Sequence, residues 1–424
     1  MDSGNVAWTI MATALCVFIT PGIAFYYGGM VRAKSVVSMM MLSFGAMGVV
    51  GVLWILYGFG MYSITAANDG SFPGFRFAGN PFTEHFALAG LDQDTLIGAA
   101  FGATFAIATT AIVSGAIADR ARFGPWLLFA GLFATFVYFP VAGWVWGEGG
   151  WIFNLGSILG FDGVATIDYA GGTAAHINAA AGALALALVL GKRTGFAKGV
   201  HTPHNVPLAL TGVAIIFFAW FGFNTGAEGA FGLLGTVDAD GAPASHAGLI
   251  VVNTLGAACA GVLGWTLVER LKEGKATSIG AGSGAIAGLI AITPACAALD
   301  PGWALLLGVV SGAICALAIE LKFRLGFDDS LDVVGLHGIG GIVGCWYLGF
   351  FAQGTGLIYS GNLEQLIVQV IASVAVPIYS FGVSWIIGTA IEKTIGFRVR
   401  NEDELAGIDT VLHGERGYSL ADAR

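Results

Sequence analysis

Apolar residues run along this chain in long, nearly unbroken stretches with short polar breaks between them. About eleven stretches stand out, at approximately 6 to 31, 36 to 64, 95 to 118, 125 to 147, 168 to 191, 205 to 224, 246 to 269, 277 to 298, 301 to 323, 333 to 352 and 364 to 396. A helix needs about 20 apolar residues to cross the hydrocarbon core of a bilayer, and each stretch supplies roughly that. The pattern predicts an all-α polytopic membrane protein with eleven transmembrane helices.

Composition agrees. Of 424 residues, 56% are hydrophobic and only 11% charged, and the mean hydropathy is +0.80. A soluble protein with so few charges would lack the polar surface to cover itself. The breaks then orient the chain, because basic residues collect on the cytoplasmic side. Arg32, Lys34, Arg120, Arg122, Lys192, Arg193, Lys198, Arg270, Lys272, Lys275, Lys322, Arg324, Lys393, Arg398 and Arg400 fall in alternate breaks or at the last helix end. Arg416 and Arg424 follow in the tail, and only Arg76 of the 18 Lys and Arg lies on the other side. The expected topology is N-terminus outside, C-terminus inside. The outer breaks carry Asp69, Glu84, Asp92, Asp94, Glu148, Asp162, Glu228, Asp238, Asp240, Asp300 and Glu364, and the formal net charge is −9. Such a face concentrates cations and repels anions.

MDSGNVAWTI lacks the basic start and small-residue cleavage site of a secretory leader, so the first helix is expected to stay in the mature protein. The five cysteines, Cys16, Cys259, Cys296, Cys315 and Cys345, sit in apolar runs without paired spacing and read as small core residues. Many of the 66 glycines lie inside the runs, where they let helix backbones approach closely.

Two stretches share a pattern: D168-YAGGTAA-H176-INAAAG and D332-VVGL-H337-GIGGIVG, each an acid, an interior histidine and packed small residues. They lie five helices apart, so the second half enters the membrane inverted. The expected organisation is residues 1–192 and 193–360 as two five-helix halves, 361–398 as an eleventh helix and 399–424 as a cytoplasmic tail.

Seven histidines are present. His85 and His246 fall at the outer face and His413 in the tail. His201 and His204, in HTPH, have no cysteine or nearby carboxylate to complete a metal set. His176 and His337 differ, because an ionisable group inside a membrane span is costly and usually faces an interior cavity. A neutral imidazole has one donor and one acceptor nitrogen, so adjacent rings can pass a proton along. GIGGIVG follows no strand, so it reads as helix packing and not as a phosphate loop. Tyr138, Trp144 and Trp146, with rings in FGATF (101 to 105) and WFGFN (220 to 224), are either an interfacial belt or something more specific. No nucleophile with a base, no metal set and no nucleotide site assembles, so neither enzyme nor cofactor is expected.

The stretches PGIAFYYGG (21 to 29), FGATF, YAGGTAAHINAAAG (169 to 182), WFGFN, TPAC (293 to 296), DDSLDVVGLHGIGGIVG (328 to 344) and HGERGY (413 to 418) carry a resemblance. The chain resembles the ammonium transporters of the Amt/Mep group, related more distantly to Rh proteins. That resemblance implies a homotrimer in the cell membrane, each subunit with its own pore between the halves. It assigns Phe105 and Trp146, with Tyr138 nearby, to an outer vestibule, Phe105 and Phe223 to a stacked gate, and His176 and His337 to a twin-histidine pair beyond it. Trp220, Phe101 and Ile23 would line the pore, Asp168 would be a buried carboxylate supporting recruitment, and Thr293 would lie near the exit half.

One position departs from the family: Ala227 stands where many members have a serine that helps hold the ion. Recruitment is then expected either to be weaker or to rely on Thr225 or Glu228, with Glu148 beside Trp146 supplying compensating charge. The expected substrate is ammonium, binding outside, losing its proton near the gate and crossing as ammonia. Read from its residues alone the tail is a solvated terminus, while the resemblance has it packing under the subunits and supporting shutoff by a cytoplasmic PII-type signalling protein. Nucleic acid is not an expected partner. A second reading is an ammonium sensor with little flux; a gas or water channel of Rh type is disfavoured by Trp146 and the aromatic vestibule.

Overall fold

The computed structural model describes residues 1–82, 85–196, 202–236 and 244–418. Glu84, Lys198, His201, Asp238, Asp240 and Arg424 lie outside the described residues. Among the described residues ten helices are long and apolar enough to cross a membrane: α1 (Ser3–Met30), α2 (Val36–Tyr62), α3 (Gln93–Ile117), α4 (Phe123–Trp146), α5 (Gly172–Leu190), α6 (Val206–Ala230), α7 (Ala247–Glu273), then, after a shorter helix, α9 (Pro301–Leu325), α10 (Val334–Phe351) and α11 (Glu364–Thr394). The shorter apolar helix is α8 (Ser278–Ile292). No strand occurs among the described residues, only an isolated bridge between Ala121 and Arg398. The protein is an all-helical, multi-pass membrane protein, and large apolar residues such as Phe218, Leu263, Ile378 and Ile386 are exposed on the helices.

The sequence overran two helices. The run from 277 to 298 is helical only to Ile292, because Pro294 has no N–H to continue the ladder and the chain turns there. The run from 168 starts as helix at Gly172. The two interruptions meet: Tyr169 N donates to Pro294 O at 3.2 Å and Ala170 N to Thr293 O at 3.2 Å. Backbone groups freed inside the protein thus satisfy each other.

Glycine seams hold α7, α8 and α9 tightly together. A Cβ on Gly261 of α7 would lie 2.2 Å from Gly284 O of α8, and one on Gly264 would lie 2.1 Å from Val309 O of α9. No other residue allows this backbone approach, as expected where lipid gives no hydrophobic drive for association.

The described part of the tail, to Tyr418, is anchored to the helices through a few buried residues. Phe397 is fully buried, and Val399 N donates to Arg120 O at 2.9 Å. Glu404 accepts from Thr194 N at 2.7 Å and from Arg398 Nη2 at 3.1 Å. Asp409 accepts from Val37 N at 3.0 Å and Ser38 N at 2.7 Å, capping the start of α2. His204, half of the HTPH motif, bonds Val31 O at 2.7 Å and the Tyr418 hydroxyl at 2.8 Å. Its two nitrogens are thereby occupied, one at the end of α1 and one in the tail.

Candidate functional site

Three cavities lie in series, named outer, middle and inner after the orientation expected from the basic breaks. The outer one, about 600 Å³, is walled by Phe101, Phe105, Tyr138, Trp146, Phe223 and Ala227, with Asp94 and Glu148 also facing it. The middle one has room for about 20 Å³, roughly a single water, and is lined by Ile19, Ile23, Ile216, Trp220, His176 and His337, among others. The inner one, about 170 Å³, includes Ser283, Lys322, Asp332 and Leu336. Phe223 borders the outer and middle cavities, and Tyr26 the middle and inner ones.

Phe105 and Phe223 close the outer cavity. Their rings stack with centroids 4.0 Å apart at 20°. Trp146 packs edge-on against Phe105 at 5.8 Å, and Phe101 packs edge-on at 5.0 Å. Phe101 therefore belongs to the outer chamber and not to the narrow tube, whereas Ile23 and Trp220 do line the tube.

Below the stacked pair, His176 and His337 meet. Nδ1 of one lies 3.2 Å from Nδ1 of the other. Because a hydrogen bond needs one donor and one acceptor, the two neutral rings must be opposite tautomers. His176 is 1% exposed, and its Nε2 is buried without a hydrogen-bond partner. Its ring stacks on Trp220 at 5.4 Å and 20°.

Each histidine sits on a widened, π-type turn, Gly172–Ile177 and Val334–Gly338. Such turns add a residue to the ring of backbone atoms and re-aim a side chain, and they recur at functional sites. The geometry also re-registers the internal similarity. The counterpart of Asp168 is Asp329 and not Asp332, since each lies eight residues before its histidine. Asp168 accepts from Gly171 N at 3.1 Å, from Gly172 N, and from Thr173 N and Ala174 N at 2.9 Å each. Asp329 accepts from Val334 N at 2.7 Å. Five residues before each histidine the backbone is left-handed, at Gly171 (φ +109°) and Asp332 (φ +62°). Asp332 instead forms an ion pair with Lys322 at 2.6 Å.

Three further expectations change. Thr225 donates its hydroxyl to Phe221 O within α6 and does not face the outer cavity. Glu228 is fully buried and accepts from the Tyr169 hydroxyl, from Ser245 Oγ at 2.7 Å and from His246 N at 2.9 Å. Neither replaces the missing serine hydroxyl; Ala227 presents a methyl to the cavity. Thr293 is buried beside the Asp168 turn, is not among the residues lining these three cavities, and accepts the Trp220 indole N–H at 2.9 Å. Thr293→Val removes that acceptor, so transport should fall several-fold at unchanged half-saturation, with about 1 to 3 kcal/mol of stability lost; flux and thermal unfolding of the variant check this.

Sequence reasoning missed Tyr26, whose hydroxyl bonds Ser283 Oγ at 3.1 Å between the middle and inner cavities. Its motif, PGIAFYYGG, was on view, but nothing in one sequence says that both tyrosines line the middle cavity and that Tyr26 also reaches the inner one.

The comparisons accord with this geometry. The model of the Ammonium Transporter Family matches residues 7–418. An ammonium transporter of Mycobacterium tuberculosis is 44% identical over 464 aligned positions, covering 100% of this chain and 91% of the relative. The crystal structure of Candida albicans Mep2 superposes with a TM-score of 0.81 at 30% identity, covering 95% of this chain and 88% of that one. A structure titled as a sensor Amt protein gives 0.83 at 24% identity, covering 97% and 98%, a likeness of fold alone. Carboxylate-anchored π-turns, paired histidines under stacked phenylalanines and a family match across nearly the whole length lead to one conclusion: the chain belongs to the ammonium transporter family.

Proposed function

We propose that this protein moves ammonium inward by recruiting the ion in the outer cavity, separating it from its proton at the Phe105–Phe223 pair, and passing ammonia and the proton along His176 and His337. Energies choose between carrying the ion whole and splitting it. An intact ammonium ion in a low-dielectric tube has an idealised cost of order 20 kcal/mol. A desolvated cation–π contact returns only about 2 kcal/mol. With an amine pKa near 10.4 as a stand-in, giving up the proton at pH 7 costs roughly 5 kcal/mol. Splitting is the less costly route.

The observation that carries the reading is the Nδ1 to Nδ1 contact in a tube with room for one small molecule. With His176 protonated on Nδ1 and His337 on Nε2, a proton arriving at the bare His176 Nε2 lets His176 give its Nδ1 proton to His337. His337 then releases its Nε2 proton inward. Both tautomers end reversed, and a return step resets them before the next cycle.

In this reading the N-terminus is outside and the C-terminus inside, and eleven spans form two inverted five-helix halves, 1–192 and 193–360, with 361–398 as a final span and 399–424 as the tail. The matching carboxylate, left-handed residue and π-turn before each histidine support the repeat. Three subunits assemble in the cell membrane, and a cytoplasmic PII-family protein closes the inner mouth, both on the strength of the resemblance. A sensor reading draws on Ala227 facing the cavity; the succession of three cavities favours transport. Purified protein in liposomes tests this: an inward ammonium gradient should give a transient current well above that of protein-free liposomes. No difference from protein-free liposomes favours the sensor.

A further inference from the structure

Three of the aromatic residues that wall the outer cavity turn their polar edges away from it. Trp146 Nε1 donates to Asp168 O at 2.7 Å, Trp54 Nε1 donates to Ala99 O at 2.8 Å, and the Tyr169 hydroxyl donates to Glu228. Ring surface and Ala227 line it, together with the hydroxyl-bearing Tyr62, Tyr138 and Thr95 and the carboxylate residues Asp94 and Glu148. Asp94 pairs with the Met1 amino group, while Glu148 is exposed to solvent.

An ammonium ion has four N–H groups and gains most where oxygen acceptors converge on it. A quaternary ammonium ion has none and gains from ring faces and nearby negative charge. The chamber suits the second kind of cation at least as well as the first. It is also roomy, at about 600 Å³, whereas the cavity beyond the stacked rings offers about 20 Å³. A quaternary ion is therefore admitted and held, but not passed.

We propose that the outer cavity is a binding site for quaternary ammonium compounds, of the tetramethylammonium and choline type, which compete with ammonium there and are not transported. The competition rests on the reading of this cavity as the place where ammonium is recruited; the binding does not.

The test titrates tetramethylammonium into the purified full-length protein, followed by calorimetry and tryptophan fluorescence, and repeats ammonium uptake in liposomes with tetramethylammonium outside. Saturable binding, a raised half-saturating ammonium concentration at unchanged maximal rate, and no uptake of tetramethylammonium are expected. Trp146→Leu should weaken binding about tenfold or more. Glu148→Gln, at an exposed position that tolerates substitution, should weaken it about threefold and reduce its salt dependence. Ala227→Ser should tighten ammonium relative to tetramethylammonium. Ammonium uptake untouched by tetramethylammonium, with no saturable heat, overturns the proposal and leaves the recruitment reading standing. Binding unchanged in both Trp146→Leu and Glu148→Gln places the ion elsewhere and also overturns it. Binding that weakens in both variants, in a protein that moves no ammonium, upholds the site and removes the recruitment reading.

Discussion

Replacing Asp168 with alanine is expected to abolish transport, lowering flux at least about 100-fold, and to destabilise the protein by at least about 3 kcal/mol. The side chain is buried and accepts hydrogen bonds from four consecutive backbone N–H groups, Gly171 to Ala174. These are the donors that a helix start leaves without partners, and the carboxylate also answers the positive end of the helix dipole. Each buried donor left unmade costs about 1 to 3 kcal/mol. The turn they stabilise carries His176, and misplacing a reacting group by about 1 Å costs on the order of 100-fold. Asp168→Asn keeps the shape but aims an amide N–H₂ at backbone donors, so it should recover little. Uptake in liposomes and thermal unfolding in detergent check both; an alanine variant with ordinary uptake removes this role.

The second large effect is at Arg193. Its guanidinium grips Asp328, Nε to Oδ2 and Nη2 to Oδ1 at 2.9 Å each, and reaches Asp119 at 3.3 Å. Arg120 stands 3.9 Å from Asp328, and its amino groups bond Ser330 Oγ and Asp328 O. Thr194, the next residue, holds Glu404 of the tail. Arg193→Met leaves a buried carboxylate short of its partner, and about 3 to 5 kcal/mol should be lost, with the tail becoming open to protease. Arg193→Lys keeps charge without the fork and should lose less. Burial alone raises the Asp328 carboxyl, but Arg193 and Arg120 outweigh it and hold it below the ordinary carboxylate range. A depressed carboxylate stabilises the folded state above its unfolded pKa. That contribution should fade only as pH drops below about 4, and unfolding temperature against pH in wild type and Arg193→Met reads it.

How far the sequence reaches depends on the kind of signal. Membrane helices are legible because lipid demands about 20 apolar residues together, and His176 and His337 are legible because polar rings are rare there. The stacked phenylalanines and paired imidazoles came by resemblance to known motifs, since spacing in sequence does not place residues from α3 and α6 at 4.0 Å. What escaped was set by backbone satisfaction. Asp332 drew attention by closeness to His337, yet a carboxylate must sit eight residues back to reach the N–H groups of the turn, which selects Asp329. Glu228 looked free because its partners, Tyr169, Ser245 and His246, come from other segments. The tail looked soluble because its burial depends on few residues, Phe397, Val399, Glu404, Ile408 and Asp409, scattered among charges.

The central claim is that charge crosses through the histidine pair, and transient current on ammonium addition to liposomes holding the purified protein tests it most directly. The account predicts a current in the wild type that is lost in the His176→Ala, His337→Ala double variant. A wild type that alters internal pH on ammonium addition without any current would contradict it and make transport electroneutral.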